Sequence, residues 1–236
     1  MADNIAHTVK SFDEDIAQLR TIISRMGGLC EMQIGAAVDA LVTRNVDAAR
    51  RVVEDDKRID ALEAEAEALA VRIIALRAPL AGDLREIVAA LKIAGVLERI
   101  GDYAKNIAKR ASALAQAPPI EPVIIVPEMA RAVIAMIKDV LDAFVDRDAA
   151  LARAVTERDR RVDDFYNSLF RSLLTFMMEN PQYITPSTHL LFVAKNLERI
   201  GDHATSVGEM VHFAVTGDHI VDRPKTDDTS TFANRS

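Results

Sequence analysis

Leu97-Glu98-Arg99-Ile100-Gly101-Asp102 recurs 100 residues later as Leu197-Glu198-Arg199-Ile200-Gly201-Asp202. Both copies lie in stretches whose apolar residues return every three or four positions, so both read as helix. That spacing puts a Glu and an Asp four apart on one helix face, where like charges repel. Each copy also keeps a glycine inside the helix, at roughly 1 kcal/mol against alanine. Two locally unfavourable choices made twice imply a gain at the tertiary level. A bound cation is the candidate gain.

The repeat extends backwards. Glu54-Asp55-Asp56-Lys57-Arg58-Ile59-Asp60 matches Glu157-Arg158-Asp159-Arg160-Arg161-Val162-Asp163, now at an offset of 103 residues. Again two carboxylates stand four apart, Asp56 with Asp60 and Asp159 with Asp163. The chain is an internal duplication.

Composition agrees with a helical duplication. Half of the 236 residues are hydrophobic, 5% are aromatic and there is no Trp. Ala, Leu, Val, Ile, Glu and Arg dominate, as in all-α proteins with long helices. The net charge of −7 argues against a general nucleic-acid binder, which would carry a basic face. The single Cys30 excludes an intrachain disulfide framework and any cysteine-built zinc site, and reads as a small buried apolar residue. No signal pattern opens the chain, and no apolar run approaches the ~18 residues of a spanning helix. The expectation is a cytoplasmic protein that meets membranes only peripherally.

Six long helices are expected, at 8–43, 47–77, 81–116, 128–146, 148–179 and 187–215. Pro79 and Asn180-Pro181 mark two of the turns. Pro118, Pro119, Pro122 and Pro127 mark a linker at the midpoint. Short connections imply antiparallel neighbours. The fold class is all-α, two tandem three-helix bundles: 1–116, a Pro-rich linker 117–127, 128–217, and a polar tail 218–236 expected to be disordered. Gly217 is the expected C-cap of the last helix. Gly27-Gly28 reads as a flexure or close contact in the first helix, and Phe165, Phe170, Phe176, Met177 and Met178 as core.

Antiparallel packing predicts that the acids meet. Asp60 with Glu98, and Asp56 with Asp102, are both centred on residue 79, the turn Pro79. Asp163 with Glu198, and Asp159 with Asp202, are centred beside the turn at Asn180-Pro181. Four carboxylates at one level repel strongly unless countered. Arg58, Arg99, Arg161 and Arg199 could neutralise them as a salt-bridge lattice; a metal is the preferred reading. The candidate metal ligands are Asp56, Asp60, Glu98 and Asp102 in the first half and Asp159, Asp163, Glu198 and Asp202 in the second. Carboxylate oxygen suits divalent or trivalent ions such as magnesium, calcium, manganese and iron, with zinc also considered. His203 has no counterpart, Tyr103 standing there in the first half, and is not taken as a ligand. Glu63 and Glu67 read as a solvated face. No catalytic motif stands out, so the expectation is that the chain is not an enzyme.

With these motifs the chain resembles the PhoU family of phosphate-signalling regulators over about residues 8–217. Pro79-Leu80-Ala81-Gly82-Asp83-Leu84-Arg85 resembles that family's approach to its third helix. The family often reads His-Ala-Thr-Asn-Ile-Ala-Glu after its second motif; here the run is His203-Ala204-Thr205-Ser206-Val207-Gly208-Glu209. The resemblance implies two duplicated three-helix bundles with metal ions at the acidic motifs, and a homodimer. It implies a negative regulator of phosphate uptake and of the phosphate-starvation response. Its partners would be a phosphate-specific ABC transporter ATPase and a phosphate-sensing histidine kinase. An accessory protein of a low-affinity phosphate transporter, and a carboxylate-bridged di-metal oxidase, are the alternatives; the oxidase is disfavoured because neither half carries Glu-x-x-His.

Overall fold

Helix α4, Ala81–Leu114, occupies the middle of the first half. At 1.5 Å per residue its 34 residues span about 51 Å. Ile93, Leu97, Ile100, Ala104, Ile107 and Ala111 are buried along it at three- and four-residue steps. Such a stripe must be covered, and most helical stability comes from that covering. The computed structural model describes residues 2–220, with side-chain surroundings from residue 11 onward. Around α4 pack α1 (Ala2–Thr43), α2 (Val46–Asp55) and α3 (Lys57–Arg77).

The second half repeats the plan with α5 (Val126–Asp146), α6 (Ala149–Thr156), α7 (Asp159–Glu179) and α8 (Ile184–Thr216). Helix α8 takes the place of α4, with Leu190, Val193, Leu197, Ile200, Ala204, Val207 and Val211 buried. Among the described residues there is no strand, and the architecture is all-α with duplicated three-helix units.

The two units share an interior. Helix α4 packs along α8, and α1 along α5, so four long helices form the centre. The paired helices α2–α3 and α6–α7 flank it on either side. The buried apolar residues of both halves form one continuous cluster. The α4–α8 seam is antiparallel. Tyr103 stacks on His203, ring centroids 5.4 Å apart. Seven residues further along α4, Arg110 lies 4.2 Å from the ring centroid of Phe192, earlier on α8. Because 103 and 203 are the duplicated positions, the seam runs through a pseudo-two-fold axis.

Several boundaries move. The expected second helix divides at Asp56, and the expected fifth at Glu157-Arg158. At both divisions the backbone tightens into three-residue turns, Ile59 N–H to the Asp56 carbonyl at 2.9 Å and Arg161 N–H to the Arg158 carbonyl at 3.1 Å. Neither place carries Pro or Gly to announce it. Helix α4 stops at Leu114, two residues short of the expected 116. The linker is partly ordered: Glu121–Ile125 form a 3-10 turn, and α5 begins at Val126 instead of 128. Pro127 fits that start because a first-turn residue needs no N–H partner. The same reason lets Pro186 sit inside the first turn of α8, which starts at Ile184 instead of 187. Gly217 caps α8 with φ of 85°. The expected disordered tail falls, from residue 221, outside the described residues.

Three smaller readings resolve. Cys30 is fully buried, and its Sγ donates to the Leu97 carbonyl at 3.2 Å. Gly27 is a close contact: a Cβ there would lie 1.9 Å from Leu141 Cδ1 of α5, so a larger residue would require that leucine side chain to move. The Phe and Met group is not all core. Phe165 packs against the interior and Phe176 meets Tyr183 edge-on, whereas Met178 is 86% exposed at the end of α7.

Candidate metal centre

The duplicated glycines mark where the kinked flanking helices press on the central ones. A Cβ at Gly101 would meet Ile59 Cδ1 at 2.8 Å and Asp56 Oδ1 at 3.4 Å. At Gly201 it would meet Asp159 Oδ1 at 3.1 Å and Val162 Cγ1 at 3.4 Å. The tertiary gain behind each helix-interior glycine is therefore a close approach. It admits a buried Asp and a β-branched residue from the helix opposite. Asp56 and Asp159 are both buried, at the divisions between α2 and α3 and between α6 and α7.

The register is the one the turns predict. Glu63 Oε1 lies 3.5 Å from the Cβ position of Gly95, a pair also centred on residue 79. Asp56 and Asp102 both reach one group, the Lys105 ammonium, at 2.5 and 3.1 Å. The Asp56 hydrogen bond first, and Asp102 after it, hold Lys105 protonated well above the usual lysine range. Glu98 is half-buried and Asp60 is exposed. Burial, then the charges of Asp102, Glu63, Asp60 and Asp56, push the Glu98 carboxyl up. Glu63 is pushed up likewise, by burial and then by Glu67 and Asp60, so it is a half-buried member of this field instead of a solvated residue.

The second half is arranged differently. Lys195, at the position of Gly95, reaches Glu198 Oε1 at 2.7 Å and lies 5.3 Å from the Tyr166 ring centroid. Burial pushes the Glu198 carboxyl up, against the opposing pull of Lys195. Glu198 Oε2 is buried without a hydrogen-bond partner. Asp163 and Asp202 are half-buried. The position matching Lys105 is Thr205, whose buried hydroxyl lacks a hydrogen-bond partner. Between the two clusters, burial and then Arg99 lower the His203 imidazole below its ordinary value.

Among the described residues, no three His, Cys, Asp or Glu side chains stand as a group that could hold a metal ion. In the first half an ammonium lies where two of the expected ligands converge. In the second, the orphaned oxygen of Glu198 suits a cation. Sequence reasoning sought the counter-charges at the motif arginines. Arg199 lies over the Tyr103 ring and Arg161 over Phe165, 5.9 and 5.7 Å from the centroids. The missed residues are Lys105 and Lys195. Their signal was their three-residue spacing from Asp102 and Glu198.

Comparison with known proteins agrees with this architecture. The family model "PhoU domain" matches twice, over residues 23–111 and 126–211. A curated relative from Zymomonas mobilis, a phosphate-specific transport system accessory protein PhoU homolog, is 53% identical over 96% of both chains. The crystal structure of PhoU from Pseudomonas aeruginosa superposes with a TM-score of 0.83 at 37% identity, covering 88% of this chain and 100% of that one. The phosphate transport system regulatory protein PhoU from Streptococcus pneumoniae superposes with a TM-score of 0.82 at 25% identity, covering 89% and 99%.

Proposed function

The chain belongs to the PhoU family, and from that premise we propose that it is a non-enzymatic negative regulator of phosphate uptake and of the phosphate-starvation response. In this reading it acts on the cytoplasmic side of the membrane, between a phosphate-specific ABC transporter ATPase and a phosphate-sensing histidine kinase. The observation that carries the reading is the full-length likeness to a phosphate-specific transport accessory protein, 53% identical over 96% of the chain. Among the described residues no helix is long and apolar enough to cross a membrane. Contact with membrane proteins then goes through their cytoplasmic parts.

A protein that works by contact shifts its partners only as far as it binds one of their states better than another. The surface offers apolar groups for such contacts at the hairpin ends. Leu76 and Leu80 are exposed at the α3–α4 turn, and Met178 and Ile184 at the α7–α8 turn. Self-association into a homodimer through exposed groups belongs to the same proposal.

Cation binding at the acidic repeats is a second part of it. Asp159, Asp163, Glu198 and Asp202 would hold the ion in the second half, and Asp56, Asp60, Glu98 and Asp102 in the first. A divalent cation supplies charge neutralisation there, fastening each flanking helix to the central one. The orphaned Glu198 oxygen supports the second site.

Deletion of the gene tests the regulatory reading. Loss of the protein should derepress phosphate-starvation genes in phosphate-replete medium, or cause toxic phosphate uptake. Normal transcription and normal uptake in the deletion strain would overturn it.

A further inference from the structure

The outward side of the α4–α8 seam carries a charge pattern of its own. At its centre Tyr103 stacks on His203, with the phenol oxygen 3.3 Å from Nε2. Arg199 lies 5.9 Å from the Tyr103 centroid, and its duplicate Arg99 stands near enough to His203 to lower that imidazole. Toward one end Arg110 covers Phe192 and comes within 3.4 Å of His189 Nδ1. Toward the other end Lys92 holds the position duplicated by Phe192. Positions 92, 96, 99, 103, 106 and 110 of α4, and 189, 192, 196, 199, 203, 206 and 210 of α8, follow this line at three- and four-residue steps. None of them is an acid, in a chain with 36 acids against 29 Lys and Arg. Lys92, Arg99 and Arg199 are exposed, and Phe192 is 48% exposed. The acidic repeats border the line: Asp102 is drawn toward α3 through Lys105 and Asp56, and Glu198 toward α7 through Lys195, which lies over Tyr166.

We propose that the α4–α8 seam is the docking groove for an acidic helical segment of a partner protein. The inference rests on the reading of the chain as a regulator that works by contact, and it names the surface that makes the contact. At 1.5 Å per residue the line from Lys92 to Arg110 is about 27 Å long, the length of a helix of about 18 residues. Two helices packed about 8–10 Å apart leave a furrow that seats a third of similar width. Carboxylates on one face of that helix would meet Arg99 and Arg199 at the centre and Lys92 and Arg110 toward the ends, the guanidinium forks matching carboxylate geometry. Phe192 supplies an apolar contact beside them. The acidic borders decide the shape of the partner. A bilayer or a nucleic-acid duplex wide enough to cover the basic line would also lie over the bordering carboxylates, where like charges repel. A single helix fits between them. A small anion would engage only part of a charge pattern spread along the whole seam.

Peptide binding tests this on the full chain. The probe is an end-blocked, fluorophore-labelled helical peptide of about 18 residues, with Glu along one face and Leu beside it, read by fluorescence anisotropy at low salt. Arg99→Gln with Arg199→Gln should weaken its binding at least about fivefold, the scale of two exposed charge pairs. Arg51→Gln with Arg153→Gln, exposed on α2 and α6, should bind as the unaltered chain does. The same peptide with Lys for Glu should not bind. Circular dichroism checks helix content, and Lys92→Gln with Arg110→Gln is the second variant if the first does not fold. Equal affinity of the seam variants and the unaltered chain would overturn the proposal, and so would absence of binding to the unaltered chain. Vesicles of phosphatidylglycerol and phosphatidylcholine that bind with the same arginine dependence would make the seam a membrane contact and overturn it too. In cells, the Arg99 and Arg199 variant, present at normal level, should derepress phosphate-starvation genes in phosphate-replete medium. Normal repression by that variant, where the deletion derepresses, would overturn the docking proposal alone. A deletion without effect would overturn the regulatory reading beneath it.

Discussion

Burial first, and the charges of Asp102, Glu63, Asp60 and Asp56 after it, raise the Glu98 carboxyl above its ordinary value of 4.5. The folded chain therefore holds that proton more tightly than the unfolded chain does. By linkage, a raised carboxyl favours the fold while it is protonated, and this contribution is lost as pH rises above the ordinary carboxylate value. Glu98→Gln should consequently raise the melting temperature at pH 7 in the presence of a chelator. The gain should vanish near pH 4, where both states carry the proton. Thermal unfolding at the two pH values decides it; a lower melting temperature for the variant at pH 7 would mean that the ionised Glu98 is a stabilising partner. Gly208 has an explanation at the same scale. A Cβ there would lie 2.8 Å from the Ala152 carbonyl oxygen of α6, a backbone atom that cannot rotate away. The glycine that departs from the common family run therefore keeps α8 close to α6.

Each half opens its flanking helix with a matched cap. The Asn45 side chain accepts from Ala48 N–H at 2.9 Å, and the Asp148 side chain accepts from Ala150 and Leu151 N–H, both at 2.9 Å. A helix of 8 residues such as α6 is too short to stand by propensity alone. Asp148→Ala should cost about 1 kcal/mol of stability, read as a lower urea midpoint with unchanged slope; no change in midpoint would show that packing alone holds α6. At this scale much was legible beforehand. The i, i+4 acids, the hairpin register about Pro79 and the repeat itself follow from spacing alone. The divisions at Asp56 and Glu157-Arg158 did not, because Asp56 keeps helical dihedrals, φ −54° and ψ −37°. Nothing in local propensity distinguishes such a residue from its neighbours. Lys105 escaped notice for a different reason: its strongest partner, Asp56, is 49 residues away in sequence.

The whole molecule was legible as a duplication but not as a shared interior, because the apolar stripes of α4 and α8 do not name their partners. The structure pairs them with each other, α4 against α8 and α1 against α5, around the Tyr103–His203 stack. An antiparallel seam through duplicated positions has the symmetry of a two-fold dimer interface, in which the same patch meets itself. A first half expressed alone, residues 1–117, would expose the faces of α1 and α4 that α5 and α8 cover. A second copy of that half presents the nearest substitute for them, with Tyr103 at the axis facing its own duplicate. The isolated half should therefore form a helical homodimer, and its unfolding midpoint should rise with protein concentration. Size-exclusion chromatography with light scattering reads the mass. A monomeric half that unfolds cooperatively at a concentration-independent midpoint would show that the first three-helix unit is stable without the seam. The shared core would then be a docking of two finished domains.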